Sequence, residues 1–282
     1  MVKPAAKRGA VGYLQQAFGA SERRACNVIG VSRATFRYES TQEEPVKLVA
    51  RMKKLAEEKP RYGYRQLHRL LKREGVRVNH KKIYRLYKRE GLGLRIKRRR
   101  RYAASPRQAL TAAVHSNQRW GMDFVSDHTT TGRRFRILTI VDTFSRKSPG
   151  ICTDTSITGE RVTRVLDEIA EEHGLPEMIT VDNGPEFISN ALDHWAYQRG
   201  VKLHFNRPGK PIENAFIESF NGRFRDECLN ANWFESIEHA RQVITDWWHD
   251  YNHRRPHSAL GGLTPMEYEK QAQLTRRTQL VA

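Results

Sequence analysis

The order of apolar segments after residue 113 constrains the fold most strongly. Three strand-like segments come first, WGMDFVSD, RFRILTIVDTFSR and KSPGICTDT. Next come a helical stretch over residues 158–173, the short strand EMITVDN, a helix over residues 187–199, the strand VKLHF and a last helix. Three strands in a meander, followed by alternating helices and strands, predict a mixed α/β sheet covered by helices.

The charge of the chain is concentrated before this α/β part. Residues 1–110 hold 30 Lys and Arg against 8 Asp and Glu, a net charge of +22, whereas residues 111–282 hold 20 against 23, a net charge of −3. A part this basic indicates a polyanionic partner, and DNA is the simplest choice. We therefore expect that the N-terminal part, here called the front, binds DNA and that the C-terminal part carries a separate chemical activity.

The basic front contains two patterns of helix, turn and helix. In ACNVIGVSRATFRY a helix ends at Gly30, and Ser32 is placed to cap a second helix that carries Arg33 and Arg37. An ordinary helical hairpin has the same pattern, so the local charge is what favours a helix-turn-helix that binds DNA.

The second pattern begins with RYGYRQLHRLLKREG, which Gly75 stops, and Asn79 is placed to cap the following helix. Its predicted core residues are Leu67, Leu70, Leu71, Ile83, Leu86 and Tyr87. Three basic residues of its second helix, Lys81, Lys82 and Arg85, are predicted DNA contacts. A basic linker, Lys97–Arg101, follows and is expected to touch phosphates.

Three acids of the α/β part stand where a catalytic site is expected. Asp123 lies within the first strand, Asp182 ends the fourth strand before a glycine turn, and Glu218 lies on the last helix. An acid in a buried strand is costly unless it is paired or bound to a cation. Three converging carboxylates suit Mg²⁺, and two such ions can activate and clamp the oxygens of a phosphodiester.

Helix geometry decides between the acids near Glu218. At 100° per residue, Phe216, Ile217, Phe220 and Phe224 are predicted to form the core face. The outward face then carries Glu218, Asn221, Gly222 and Arg225. Glu213 is expected near the start of the helix, where the helix dipole favours a negative charge. Asp142 is interpreted as a structural or supporting acid, with direct metal contact left open.

Several blocks of the sequence together resemble one family. They are WGMDFVSD, LTIVDTFSR, DNGPEF, RPGKPIENAFIESFNGRFRDECLN and YNHRRPHSALGGLTPMEY, with GVSRATFRY and PRYGYRQL in the front half. Thirty-five residues separate Asp182 from Glu218, and a basic residue, Arg225, follows Glu218 by seven positions. These features resemble the OrfB-type transposases of the insertion sequence three family, which belong to the retroviral-integrase-like DDE group.

The resemblance implies an RNase H-like integrase catalytic core with Asp123, Asp182 and Glu218 as the metal-binding triad. The cofactor would be Mg²⁺ in a two-metal site, with Mn²⁺ as an alternative. The activity would be cleavage of DNA at the element's ends, followed by strand transfer to a target. Further predicted DNA contacts are Lys210, Arg225, Arg254 and Arg255.

The expected organisation has four parts. A helix-turn-helix-like region spans residues 1–45, and a second module with its basic linker spans 46–104. The catalytic core spans 113–230, and a C-terminal helical extension spans 231–282. Proteins of this family often act as fusions with an upstream frame that supplies a leucine zipper. The chain shows no sustained heptad run, so we expect such a partner or fusion, and a homo-oligomer in the synaptic complex.

Two other classes of protein explain part of the sequence. A non-catalytic DNA-binding regulator accounts for the basic front but not for the three acids. A nuclease of the same fold also accounts for the acids, and strand transfer is the activity that distinguishes a transposase from such a nuclease.

His249 and His253 have metal-pair spacing, but no CxxC accompanies them, so a structural zinc site is not expected. The three cysteines form no disulfide framework, and no apolar run suits a membrane, which predicts a cytoplasmic, nucleoid-associated protein.

Overall fold

The computed structural model describes residues 4–39, 45–94, 112–206 and 215–281. The chain forms two compact units, residues 1–49 and residues 50–282. None of the described helices combines the length and the apolar composition needed to cross a bilayer.

The first unit contains three helices, α1 (Pro4–Phe18), α2 (Glu22–Ile29) and α3 (Arg33–Arg37). As predicted, α2 ends at Gly30, whose left-handed backbone (φ 64°) suits glycine, and the Ser32 hydroxyl accepts a hydrogen bond from the Thr35 amide. A small core around Val11, Ala25 and Cys26 holds the three helices together.

The second helix pair has the predicted arrangement. Helix α4 (Val46–Glu58) precedes α5 (Tyr64–Arg73) and α6 (His80–Arg89). Asn79 caps α6 by accepting a hydrogen bond from the Lys81 amide over 2.8 Å. The buried residues are Met52, Leu55, Tyr62, Leu67, Leu71, Ile83, Leu86 and Tyr87. The predicted apolar stripes are therefore core, except that Leu70 is half-buried.

The following part is built on one five-stranded sheet in the order β3-β2-β1-β4-β5. The strands are β1 (Trp120–His128), β2 (Arg134–Asp142), β3 (Ile151–Asp154), β4 (Met178–Val181) and β5 (Lys202–Phe205). The first three are antiparallel, and β4 and β5 run parallel to β1. This confirms the mixed α/β sheet that the order of segments predicts.

Helices and a buried core cover both faces of this sheet. One core includes Trp120 and Met122 of β1 together with side chains of α7 (Gly159–His173) and α8 (Asn190–Arg199). The other includes Val125 and side chains of α9 (Ala215–Glu227) and α10 (Ile237–His253). Alternation along β1 sends Asp123 to the same face as Val125, toward α9.

The remaining elements extend the second unit at its C-terminal end. Two short 3₁₀ turns, Leu229–Ala231 and Ser258–Leu260, lead to the last helix, α11 (Pro265–Val281). Thr264 and Glu267 form a capping box: the Glu267 amide donates to the Thr264 hydroxyl, and the Thr264 amide donates to the Glu267 carboxylate.

Three local expectations need correction. Helix α8 begins at Asn190 rather than at residue 187, because residues 185–189 form turns and Ser189 is its N-cap. Phe216 is 40% exposed rather than core, and the Arg146 guanidinium lies 3.6 Å above its ring centre. Asn221 is 7% exposed rather than outward-facing, because its amide turns toward β1.

Candidate active site

Among the three predicted catalytic acids, Asp123 is the one most enclosed by the fold. Its main chain lies opposite Thr139 of β2, whose hydroxyl donates to the Asp123 carbonyl over 3.1 Å. One carboxylate oxygen accepts a hydrogen bond from the Phe124 amide (2.7 Å), and the other accepts one from the Asn221 side chain (2.8 Å). Burial is the main cause of a raised Asp123 pKa, and the charges of Asp182 and Glu218 raise it further. The three acids therefore share one neighbourhood.

Asp182 follows β4 at the position that the strand register sets beside Asp123. Gly121 of β1 pairs with Thr180 of β4, and each acid stands two residues further along its strand. The Asp182 carboxylate accepts a hydrogen bond from the Gly184 amide over 3.0 Å. A Cβ at residue 184 would lie 3.0 Å from that same carboxylate oxygen, so glycine leaves room for the turn.

The loop after Asp182 is anchored to the sheet by Glu186 and Phe187. Glu186 forms an ion pair with Arg136 of β2, which lowers the Glu186 pKa. The Arg136 guanidinium also lies 4.2 Å from the ring centre of Phe124, and that ring stacks on Phe187 at 4.9 Å. These contacts hold the Asp182 loop against the strand that carries Asp123.

Glu218 reaches the site from the first turn of α9. Ile217, Phe220 and Phe224 are buried in the core below α9, which packs on β1 and β2. Glu218 itself is exposed. The apolar face of the helix thus fixes its rotation, and the charge of the exposed Glu218 acts on Asp123.

The chemistry of these side chains fits a hard divalent cation. The nearby acidic donors are carboxylate oxygens, which Mg²⁺ prefers. Burial and like charge make the ionised form of Asp123 costly, and a cation would offset both effects. Within the described residues, no group of three or more His, Cys, Asp or Glu side chains is drawn together closely enough to ligate a metal. Asp123, Asp182 and Glu218 are therefore near one another, but their carboxylates do not meet closely enough to ligate one metal ion.

Asp142 lies buried at the end of β2. It is 2% exposed, and its oxygens accept hydrogen bonds from the amides of Asn117, Phe144 and Ser145 and from the Ser145 hydroxyl. Its main chain pairs with Trp120, three residues along β1 from Asp123. The hydrogen bonds of the turn after β2 thus explain why a carboxylate is buried at this position.

Arg225 lies on α9 as an exposed and uncommitted cation. Both acids that follow it are occupied, since Asp226 pairs with Arg61 and Glu227 pairs with Arg255. Among the described residues, no acid forms an ion pair with Arg225. Asp226 and Glu227 are thus each paired with another arginine.

The other predicted DNA contacts divide into two groups. On α6, Lys81 and Arg85 are exposed and Lys82 is half-buried, with no acid paired to them in the part of the chain described. In the first unit, by contrast, Arg33 and Arg37 both pair with Glu22. Lys210, Glu213 and the basic run 97–101 lie outside the described residues.

Arg255, one of the predicted DNA contacts, is buried inside the protein. Its guanidinium is bound by both carboxylate oxygens of Glu227, and the two side chains are 8% and 13% exposed. Its neighbour Arg254 is exposed. The rings of His249 and His253 stack at 5.4 Å, and they belong to no metal-binding group among the described residues.

Two supporting contacts were not foreseen from the sequence. Asn221 was placed on the outward face without a role, although its spacing of three residues from Glu218 puts both near the same stretch of β1. The Arg136–Glu186 pair joins residues 50 positions apart, and no local pattern signals it.

Known proteins match nearly the whole chain. Two sequence models described as integrase core domain match residues 113–211 and 199–265, and one described as HTH-like domain matches residues 43–102. A Burkholderia multivorans protein, described as an uncharacterized 31.7 kDa protein of insertion element IS407, is 46% identical over 249 residues, which are 88% of this chain and 90% of that protein.

Two more distant matches agree with these. The Escherichia coli (strain K12) putative transposase InsK for insertion sequence element IS150 is 27% identical and covers 87% of this chain and 92% of its own. The solved intasome of simian T-cell lymphotropic virus, in complex with a PP2A regulatory subunit, has a chain with a TM-score of 0.50, 16% identity, and coverage of 77% of this chain and 74% of that chain. The latter likeness concerns the fold alone, and it confirms the predicted RNase H-like integrase core.

Proposed function

Since the chain belongs to the OrfB-type transposases of the insertion sequence three family, which carry an integrase core and an HTH-like domain, we propose that Asp123, Asp182 and Glu218 are its catalytic triad. The reaction would be cleavage of a DNA strand at the element's end, freeing a 3′-OH that attacks a phosphodiester of the target. Hydrolysis consumes one water, and the transfer exchanges one phosphodiester for another.

One observation carries this proposal. Asp123 is largely withdrawn from water on the face of β1 toward α9, and the charges of Asp182 and Glu218 both act on it. Like charges near a partly buried carboxylate are costly unless a cation offsets them, and acids perturbed in this way concentrate at functional sites. Phosphoryl transfer needs such a cation site beside a surface open to DNA.

The triad would hold Mg²⁺, or Mn²⁺ in its place, through carboxylate oxygens. When bound, a pair of such ions supplies activation of the attacking oxygen and charge stabilisation of the leaving oxygen. The chain's own part is to position the ligands. Asn221 fixes one oxygen of Asp123, and the Gly184 amide fixes one of Asp182. No covalent protein–DNA link is required, so no serine or tyrosine nucleophile takes part.

DNA would be held by the exposed cations. Lys81, Lys82 and Arg85 on α6 form a basic surface of the kind that contacts a duplex. Arg225 lies on α9 seven residues after Glu218, about 10 Å along a helix that rises 1.5 Å per residue. Its planar guanidinium suits a phosphate of the DNA strand beside the triad. We infer that residues 1–104 grip the ends and that residues 113–230 carry the chemistry.

Strand joining in vitro tests the proposal. The protein, with and without an upstream-frame partner, is incubated with labelled element ends, target DNA and Mg²⁺. We expect joined products as well as cut ends, and several copies assembled on paired ends. Cutting without joining would favour a hydrolytic nuclease, and DNA binding without either product would favour a regulator.

A further inference from the structure

Residues 59–73, here called the docking segment, bind α9, which carries Glu218, and elements that follow α9 in the chain. Four polar links join the segment to α9, α10, α11 and the loop before α11. They are Lys59 to Asp250 at 2.8 Å, Arg61 to Asp226, the Gln66 amide to the Pro256 carbonyl at 3.1 Å, and Arg73 to Glu267 at 2.6 and 2.8 Å. These links attach the segment to α9 of the catalytic core and to three elements of the C-terminal extension.

Tyr62 forms the buried centre of this contact. Its side chain is only 4% exposed, and the Arg255 guanidinium lies 5.8 Å from its ring centre. Arg255 is itself bound by Glu227, the last residue of α9. A buried tyrosine contributes a large apolar area, so the contact is more than a set of surface ion pairs. Through Arg255 and Glu227, Tyr62 is linked to the helix that carries Glu218.

Glu267 connects the docking segment to the start of α11. Its carboxylate receives both terminal nitrogens of Arg73 and also the Thr264 amide of the capping box. Arg73 is the main cause of a Glu267 pKa lowered to about 2. The same side chain thus caps one helix and holds another.

The interface unites two of the sequence blocks that carry the family resemblance. PRYGYRQL supplies Tyr62 and Gln66, and YNHRRPHSALGG supplies Arg255 and Pro256. Neither set is placed to touch DNA, because Tyr62 and Arg255 are buried against each other. Docking through α5 still leaves Lys81 and Arg85 of α6 exposed.

We propose that the docking segment fixes helix α6 on the catalytic part, so that these contacts set where along the DNA the triad cuts. Arg61, Tyr62 and Arg73 are then positioning residues: they act through the placement of α6 and of α9, not on the reacting atoms. This inference rests on the proposed function. Its specific consequence is that, when the contacts of the docking segment are broken, the cuts fall at several neighbouring positions on the DNA while the affinity for DNA is unchanged.

Charge reversal in the full-length protein tests this. The double variant Lys59→Glu with Arg61→Glu sets like charges against Asp250 and Asp226. Adding Asp250→Lys and Asp226→Lys restores both pairs with opposite sign. The control is Lys47→Glu with Lys54→Glu, which changes the net charge equally at two exposed lysines of α4 that have no acid partner among the described residues. Cut positions are read by sequencing the products, DNA affinity by fluorescence anisotropy, and folding by circular dichroism.

We expect the double variant to be folded, to bind DNA as the control does, and to cut over several neighbouring positions with reduced joining. The fourfold variant should recover a single dominant position. The proposal is overturned if the double variant cuts as narrowly as the control, if it joins more DNA than the wild type, or if the fourfold variant stays broad. If the wild type forms no joined product, the proposed function fails instead, and that outcome is visible without any variant.

Discussion

The side-chain amide of Asn221 on α9 donates a 2.8 Å hydrogen bond to a carboxylate oxygen of Asp123 on β1. This contact joins the helix of Glu218 to the strand of Asp123 inside a largely buried region. It orients the Asp123 carboxylate relative to the helix that carries Glu218, so the Asn221 amide is a positioning group for the triad.

Removing that amide should weaken catalysis more than folding. Hydrogen bonds to charged groups contribute about 1.5–3 kcal/mol, so Asn221→Ala should lower joining roughly tenfold or more. Mg²⁺ should also raise its melting temperature less than it raises that of the wild type. Gly222→Ala is the matched control, since a Cβ there meets nothing within 4 Å. Equal joining by the two variants would rule out this role for Asn221.

Arg255 and Arg254 should differ in what they support. Arg255→Ala leaves Glu227 buried without its partner, which typically costs about 3–5 kcal/mol of unfolding free energy. Arg254→Ala, at an exposed position, should leave stability unchanged and weaken DNA binding. Urea unfolding and DNA titration separate the two effects. Normal stability of Arg255→Ala, together with weaker DNA binding, would restore the original DNA role of Arg255.

His257 should make the stability of the protein depend on pH. Burial, followed by the charges of Arg255, Arg223 and Arg146, lowers its pKa to about 3. A histidine kept neutral in the fold binds more protons when unfolded, so its contribution is present above pH 6.5 and is lost as the pH falls from 6.5 toward 3. Between pH 6.5 and pH 3, His257→Asn should reduce the slope of the unfolding free energy against pH by up to about 1.4 kcal/mol per pH unit. An unchanged slope in urea titrations from pH 7 to pH 5 would show that His257 does not cause it.

Arg225 should bind a phosphate of the DNA end. Arg225→Ala should weaken end binding and joining, and should reduce the slope of log affinity against log salt by about 0.9, as expected for one lost phosphate contact. Arg225→Lys should keep the slope and restore part of the joining. A loss of thermal stability with normal joining would assign Arg225 a structural role instead.

The main features of the fold could be predicted because they depend on local signals. The apolar segments predicted the strands, and the caps at Ser32 and Asn79 followed from side chains that reach amides two or three residues away. The grouping of Asp123, Asp182 and Glu218 followed from their places at strands and on a helix, and from the family resemblance. Their role as ligands stays a prediction.

The features that could not be predicted depend on residues distant in sequence. Helical spacing assigns Phe216 to the core face, but Arg146 stacks on its ring at the surface. Arg255 has the sequence context of a surface cation, yet Glu227 and Tyr62 enclose it. The Arg73–Glu267 pair spans 194 positions. Periodicity specifies which face of a helix is apolar, but not which side chain will lie opposite.

The most direct test of the account compares joining and DNA binding in Asp123→Asn, Asp182→Asn and Glu218→Gln. Asp193→Asn, at an exposed acid of α8, is the control. Each triad change removes one ligating charge from a site with few ligands. We predict that all three variants bind the element ends as the wild type does and form no joined product, while the control joins normally. Near-normal joining by any one of the three would contradict the account.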